Sequence, residues 1–95
     1  MNIRFTPRAL RQIDSIGAYL ANESPRAADE ILSRIRSTCA LLAEQAFAGH
    51  PSEIRGVRVL TMARDPYRIF YEVLSSGEVR ILHVRHTSRR PLRSR

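Results

Sequence analysis

The chain contains no lysine: all sixteen of its basic residues are arginine. That absence excludes any mechanism built on a lysine base or a lysine Schiff base. What remains is a cation that does not deprotonate and that pairs bidentately with carboxylate or phosphate through a planar fork. Cysteine is almost as scarce. Cys39 stands alone, which excludes an intramolecular disulfide and any cysteine-based metal cluster. Inside a helical pattern it reads as a small buried apolar residue, not a reactive thiol. Three scattered histidines without a cysteine pair give no metal-ligand spacing, so neither metal nor cofactor is expected. No apolar run approaches the roughly 20 residues of a membrane span. The start of the chain lacks the charged-then-apolar pattern of a signal peptide. The expectation is a cytoplasmic protein with no membrane contact. Repeats and a second domain are also missing, so residues 1–95 are expected to form one domain with a modest core, ending in a basic tail over 86–95.

The charge that is present is unevenly placed. Residues 1–52 hold six arginines against five acids, whereas residues 53–95 hold ten against four. Nearly all of the net charge of +7 therefore belongs to the second half. An anionic partner for that half follows, either nucleic acid or an acidic protein segment.

Hydrophobic periodicity divides the chain in the same way. Asn2 to Phe5 is a short extended segment. Thr6-Pro7 and Ser24-Pro25 each place a hydroxyl cap before a proline suited to a first helical turn. Leu10, Ile13, Ile16, Gly17 and Leu20 form one apolar stripe. Ala28, Ile31, Leu32, Ile35, Cys39 and Leu42 form another. The link between them is so short that the helices must make an antiparallel hairpin. Phe47 to Glu53 reads as loop, and Val57–Met62, Tyr67–Leu74 and Val79–Val84 read as strands. Ser75-Ser76-Gly77 is a hairpin turn. Alternation places Ile69, Tyr71 and Val73 toward Leu10, Ile13, Ile35 and Leu42, and leaves Arg68, Phe70 and Glu72 on the open face. The expected fold class is α+β: an N-terminal helical hairpin packed on one face of a small antiparallel β-sheet.

This order, together with PYRIFYEV at 66–73 and VRILHVRHTSRRP at 79–91, resembles the RelE/ParE superfamily of bacterial toxins. The long hairpin and the ending I-L-x-V-x-H-x-x-R resemble the ParE branch. The resemblance implies the toxin of a type II toxin–antitoxin pair, of the kind associated with plasmid stabilization, that inhibits growth by binding DNA gyrase. It also implies neutralisation by a ParD-like antitoxin with an acidic C-terminal segment. On that reading Arg68, Arg85, His86, Arg89 and Arg90 contact the target. Phe70, Leu82, Arg58 and Leu92 contact the antitoxin.

Other branches of the superfamily cut messenger RNA on the ribosome, which requires a base, an acid and a cation for the developing phosphorane charge. The lysine positions of the RelE type hold Val59 and Thr61 here, and no tyrosine follows Tyr71. The Glu, Arg and His of the YoeB type are matched in order by Glu53, Arg68 and His86, with Thr87 where a tyrosine is expected. An mRNA endonuclease using those three residues is the alternative function. A third reading is a remnant that binds antitoxin without poisoning a target. Bland roles stand beside these: Arg68 pairing with Glu72, and His83 and His86 on opposite strand faces by parity.

Overall fold

The computed structural model describes residues 2–88; Arg89, Arg90 and Leu92 lie outside the described residues. The order is β1 (Ile3–Phe5), α1 (Pro7–Glu23), α2 (Pro25–Glu44), β2 (His50–Pro51), β3 (Arg58–Thr61), β4 (Tyr67–Val73) and β5 (Val79–His86). Each helix starts at the cap-plus-proline signal. Thr6 Oγ1 accepts the Ala9 N–H at 3.1 Å, and Ser24 Oγ accepts the Ala27 N–H at 3.2 Å. Ser24 also ends α1, donating its own N–H to the Leu20 carbonyl at 2.8 Å. One extended residue thus closes one helix and opens the next, and the hairpin is tight. Gly17 lets the helices approach: a Cβ there would lie 3.0 Å from Leu32 Cδ1.

The hairpin covers one face of the sheet, as the apolar stripes require. Ile35 and Leu42 of α2, Ile69 and Tyr71 of β4, and Val79 and Ile81 of β5 are fully buried in one cluster. Leu10 departs from the expectation. It is 49% exposed, and Ala9 takes the buried position beside Ile13. Ala9, Ile13, Gly17 and Leu20 recur at four- and three-residue steps, so Leu10 falls about 100° round the helix from Ala9.

The sheet has five strands in the order β1-β5-β4-β3-β2, and it is mixed, not antiparallel throughout. β1 pairs parallel with β5, Ile3 opposite Val79 and Phe5 opposite Ile81. The expected loop around His50 supplies the two-residue edge strand β2. Segments this short carry too few alternations to declare a partner. The β4–β5 hairpin closes through the Leu74 N–H to the Glu78 carbonyl at 2.8 Å, with Gly77 at φ 92° in its three-residue loop. That loop fits a turn whose last residue is left-handed, a conformation suited to glycine. Further along, Phe70 faces His83 while Tyr71 faces Ile81, so Leu82 is the extra residue of a bulge.

A half-buried ion pair, its carboxylate buried and its guanidinium partly exposed, fastens the far end of β4. Arg34 of α2 grips Asp65 with both arms, Nε to Oδ2 at 2.7 Å and Nη2 to Oδ1 at 3.0 Å. Asp65 is 6% exposed. The Arg34 hydrogen bond holds its carboxyl below the usual range, against the opposing effect of burial. Beside it, the Thr87 N–H donates to the Pro66 carbonyl at 2.8 Å, tying the end of β5 to the same turn.

Candidate functional site

β1 covers only residues 79–81 of β5. Beyond it the outer edge of β5 is met by side chains of the α1 segment. Thr6 Oγ1 donates to the Leu82 carbonyl at 3.3 Å, and Gln12 Oε1 accepts the Val84 N–H at 2.8 Å. Between that edge and the hairpin lies a groove of about 840 Å³. Ile16, Leu20, Ile31, Tyr67 and Val84 give it an apolar lining, and Arg8, Arg11 and Arg85 give it charge. No acidic residue lines it among the described residues. Such a surface fits an amphipathic, negatively charged segment.

The two histidines at this end of β5 have different surroundings. His86 pairs with Tyr67, ring edge to ring face at 5.4 Å, and its Nδ1 accepts the Ser88 N–H at 3.1 Å. His83 stands edge-on to Phe70 at 6.2 Å between centroids. Its Nδ1 is buried and has no hydrogen-bond partner among the described residues. Burial, and then the charges of Arg8 and Arg85, push the His83 pKa below the ordinary histidine value.

On the face away from the helices, charge is sorted along the strands. Glu72 is taken by Arg80 at 2.9 Å, and Glu78 by Arg4 at 3.3 Å. The expected Arg68–Glu72 pair does not form. Arg68 is exposed and sits directly opposite Arg85, two like charges across one strand pair. Phe70 is buried at 9% exposure but outside the main cluster. Neither Phe70 nor Leu82 lines the groove. Arg58 is held internally: Nη2 donates to the Gly49 carbonyl at 2.6 Å, and the guanidinium lies 5.0 Å from the centroid of the Phe47 ring.

The structure does not bring Glu53, Arg68 and His86 together. Arg68 lies on the open face and His86 beside Tyr67 of the core. Glu53 is exposed in the β2–β3 loop, three strands from β5 and at the opposite end of the sheet from Thr61, Arg68 and His86. Strand spacing and rise put it on the order of 20 Å from His86. A general acid and base must both reach one substrate phosphate. These three side chains occupy separate places. Cys39 is buried and its thiol is pushed up to about 11, so it stays a protonated packing group. Among the described residues no group of three His, Cys, Asp or Glu is placed to hold a metal ion. No described helix is long and apolar enough to cross a membrane.

Residues 3–91 match the ParE toxin family of the type II toxin–antitoxin system parDE. The chain belongs to the ParE toxin family. Y4kP of Sinorhizobium fredii (strain NBRC 101917 / NGR234), whose name is that of a toxin, is 43% identical over 84 residues, covering 88% of this chain and 85% of that protein. A chain of the chromosomal ParDE system of P. aeruginosa superposes with a TM-score of 0.80 at 28% identity, covering 93% and 97% of the two chains. A chain of the intact RelBE toxin–antitoxin complex of E. coli shares the fold at a TM-score of 0.68 and 15% identity, over 93% of this chain and 98% of that one. The ParE-family chain is therefore a type II toxin, built as two helices on a mixed five-stranded sheet.

The groove's contributors were only half visible in the sequence. Ile16, Leu20 and Ile31 belong to the apolar stripes of the two helices, and Arg8 and Arg11 flank the α1 stripe. Their spacing of three places both on one flank of α1, which is the sequence signal for a charged groove rim.

Proposed function

We propose that this ParE-family toxin acts in the cytoplasm by binding DNA gyrase, not by cutting RNA, and that a ParD-like antitoxin with an acidic C-terminal segment neutralises it. The observation that carries the reading is the separation of Glu53, Arg68 and His86, which leaves no assembled acid–base set on the sheet. The absence of lysine argues the same way, because Val59 and Thr61 offer no cation to a phosphorane. The ParDE and RelBE relatives are toxin–antitoxin systems, and the arginine-rimmed groove suits an acidic partner segment. Arg68 and Arg85 on the open face, with Arg89 and Arg90 beyond β5, are the residues offered to the target.

Purified toxin, obtained from its antitoxin complex, separates the alternatives. It should inhibit gyrase supercoiling, and Glu53→Ala should inhibit as strongly as the parent. Deleting Arg89 to Arg95 should abolish inhibition. Cleavage of messages in a translating extract, with supercoiling untouched, would overturn the proposal. A chain that binds antitoxin but affects neither process is the non-toxic remnant.

A further inference from the structure

Among the described residues Asp65 is the one charged side chain that is buried. Taking a carboxylate out of water is costly, and one arginine, itself 37% exposed, returns little net stability for it. Nor does α2 need the pair to stay on the sheet, because Ile35, Cys39 and Leu42 already bury its inner face in the core. What the pair does fix is position. Asp65 opens a three-residue turn centred on Pro66, in which the Tyr67 N–H donates to the Asp65 carbonyl at 2.8 Å. The fixed φ of proline gives such a turn its common, unstrained form. The Pro66 carbonyl so held accepts the Thr87 N–H at 2.8 Å. Around that bond the Tyr67 ring meets His86 at 5.4 Å, and His86 Nδ1 accepts the Ser88 N–H at 3.1 Å. A line of contacts therefore runs from α2 through Asp65 and Pro66 to the last described residues of the chain.

We propose that the Arg34–Asp65 pair is a positioning device for target binding: through the Pro66 carbonyl it fixes the point from which the arginine-rich residues 89–95 continue. The inference rests on the gyrase reading above, in which that segment is needed for inhibition. Residues 89–95 carry four arginines and no acid. A cationic segment that starts from a fixed point meets its target without first ordering its own root. One that starts from a loose end loses that freedom on binding, and binds more weakly for it. The Arg34 fork suits the task, because two parallel bonds to one carboxylate fix orientation where a point charge would not. Arg34 and Asp65 are thus positioning residues, acting on the target through Pro66 and Thr87 without touching it.

Amide hydrogen exchange and gyrase inhibition, measured on toxin released from its antitoxin complex at a temperature where each variant is folded, test this together. In Asp65→Ala the Thr87 amide should exchange faster, while the Thr6 amide, bonded to the Ile81 carbonyl at 3.1 Å near the other end of β5, keeps its rate. The concentration that half-inhibits supercoiling should rise about tenfold, the factor for one backbone residue to be ordered anew. Arg34→Lys, which keeps the charge but not the fork, should fall between parent and Asp65→Ala in both measurements, and it carries the comparison if Asp65→Ala does not fold. Tyr71→Phe, which weakens the fold by removing the Gly49 hydrogen bond, should inhibit as the parent does. An unchanged Thr87 rate, or parental inhibition beside a faster rate, overturns the inference and leaves the gyrase reading standing. Equal loss of inhibition in Tyr71→Phe overturns it too, since stability and not position would then be the cause. A parent toxin that leaves supercoiling untouched overturns both.

Discussion

Tyr71→Phe removes a single oxygen from the middle of the protein, and the structure says what that oxygen does. Tyr71 is fully buried, and its phenol oxygen accepts the Gly49 N–H at 3.0 Å. Gly49 is itself buried against β3: a Cβ there would lie 2.6 Å from the Val59 carbonyl oxygen and 2.8 Å from the phenol oxygen. So crowded a site has no room for a water to replace the lost acceptor. The substitution should cost the penalty of a buried unpaired donor, about 1–3 kcal/mol, a sizeable part of the roughly 5–15 kcal/mol that holds such a domain folded. Urea unfolding followed by circular dichroism checks it: the midpoint should fall with the slope unchanged. Gly49→Ala should cost more, because its Cβ meets strand backbone that cannot move aside. Combining the two should cost less than their sum, since loss of the oxygen relieves one of the two clashes. A Tyr71→Phe variant within about 0.5 kcal/mol of the parent, the range of ordinary surface substitutions, would refute the reasoning.

Ile69→Ala should cost about 2–4 kcal/mol through the cavity it leaves, because Ile69 is fully buried between the hairpin and the sheet. Scanning calorimetry should show Tm lowered by about 8 °C or more, and an unchanged Tm would contradict the core assignment. Asp65→Asn should separate from the parent in a pH-dependent way. The Asp65 carboxyl is held below its ordinary value by Arg34, so its contribution is complete above the unfolded pKa near 3.9 and is lost as pH falls through the folded one. Denaturant midpoints of parent and variant should differ at pH 7 and converge below about pH 4; a gap that persists at pH 2 would mean the ion pair is not its source.

Much of the fold was legible because its signals are local. Thr6-Pro7 and Ser24-Pro25 announce helix starts through chemistry that acts within three residues, and both caps form as read. The stripe of α2 survives because a helix of 20 residues repeats its pattern over five turns. Leu10 shows where the local signal is ambiguous: α1 offers two adjacent apolar residues, Ala9 and Leu10, and the larger one points to solvent. Burial went to Ala9, where the helix runs close over the sheet and a small side chain fits. The parallel pairing of β1 with β5 spans more than seventy residues of chain and rests on three residue pairs. Nothing in I-R-F states that partner.

The site was harder to read because it depends on which face a strand residue takes, and a single bulge changes that. Val79 and Ile81 keep the alternation expected of a strand, and Val84 breaks it by lying three residues on, yet all three are in the core cluster. Leu82, the extra residue, absorbs the shift. Apolar residues at 79, 81 and 84 were therefore the signature of a bulge in the sequence itself. The parity argument for the histidines holds because the bulge precedes both of them. His83 goes with Phe70 on the open face, and His86 goes with Tyr67. Their neighbours were beyond the reach of any count along β5. Arg8 stands seventy-five residues before His83 in the chain, and only the passage of α1 along the uncovered edge of β5 brings the two within electrostatic reach. That passage depends in turn on β1 ending at Phe5: a strand longer by three residues would occupy the edge now met by Thr6 and Gln12, and leave no groove to rim with charge.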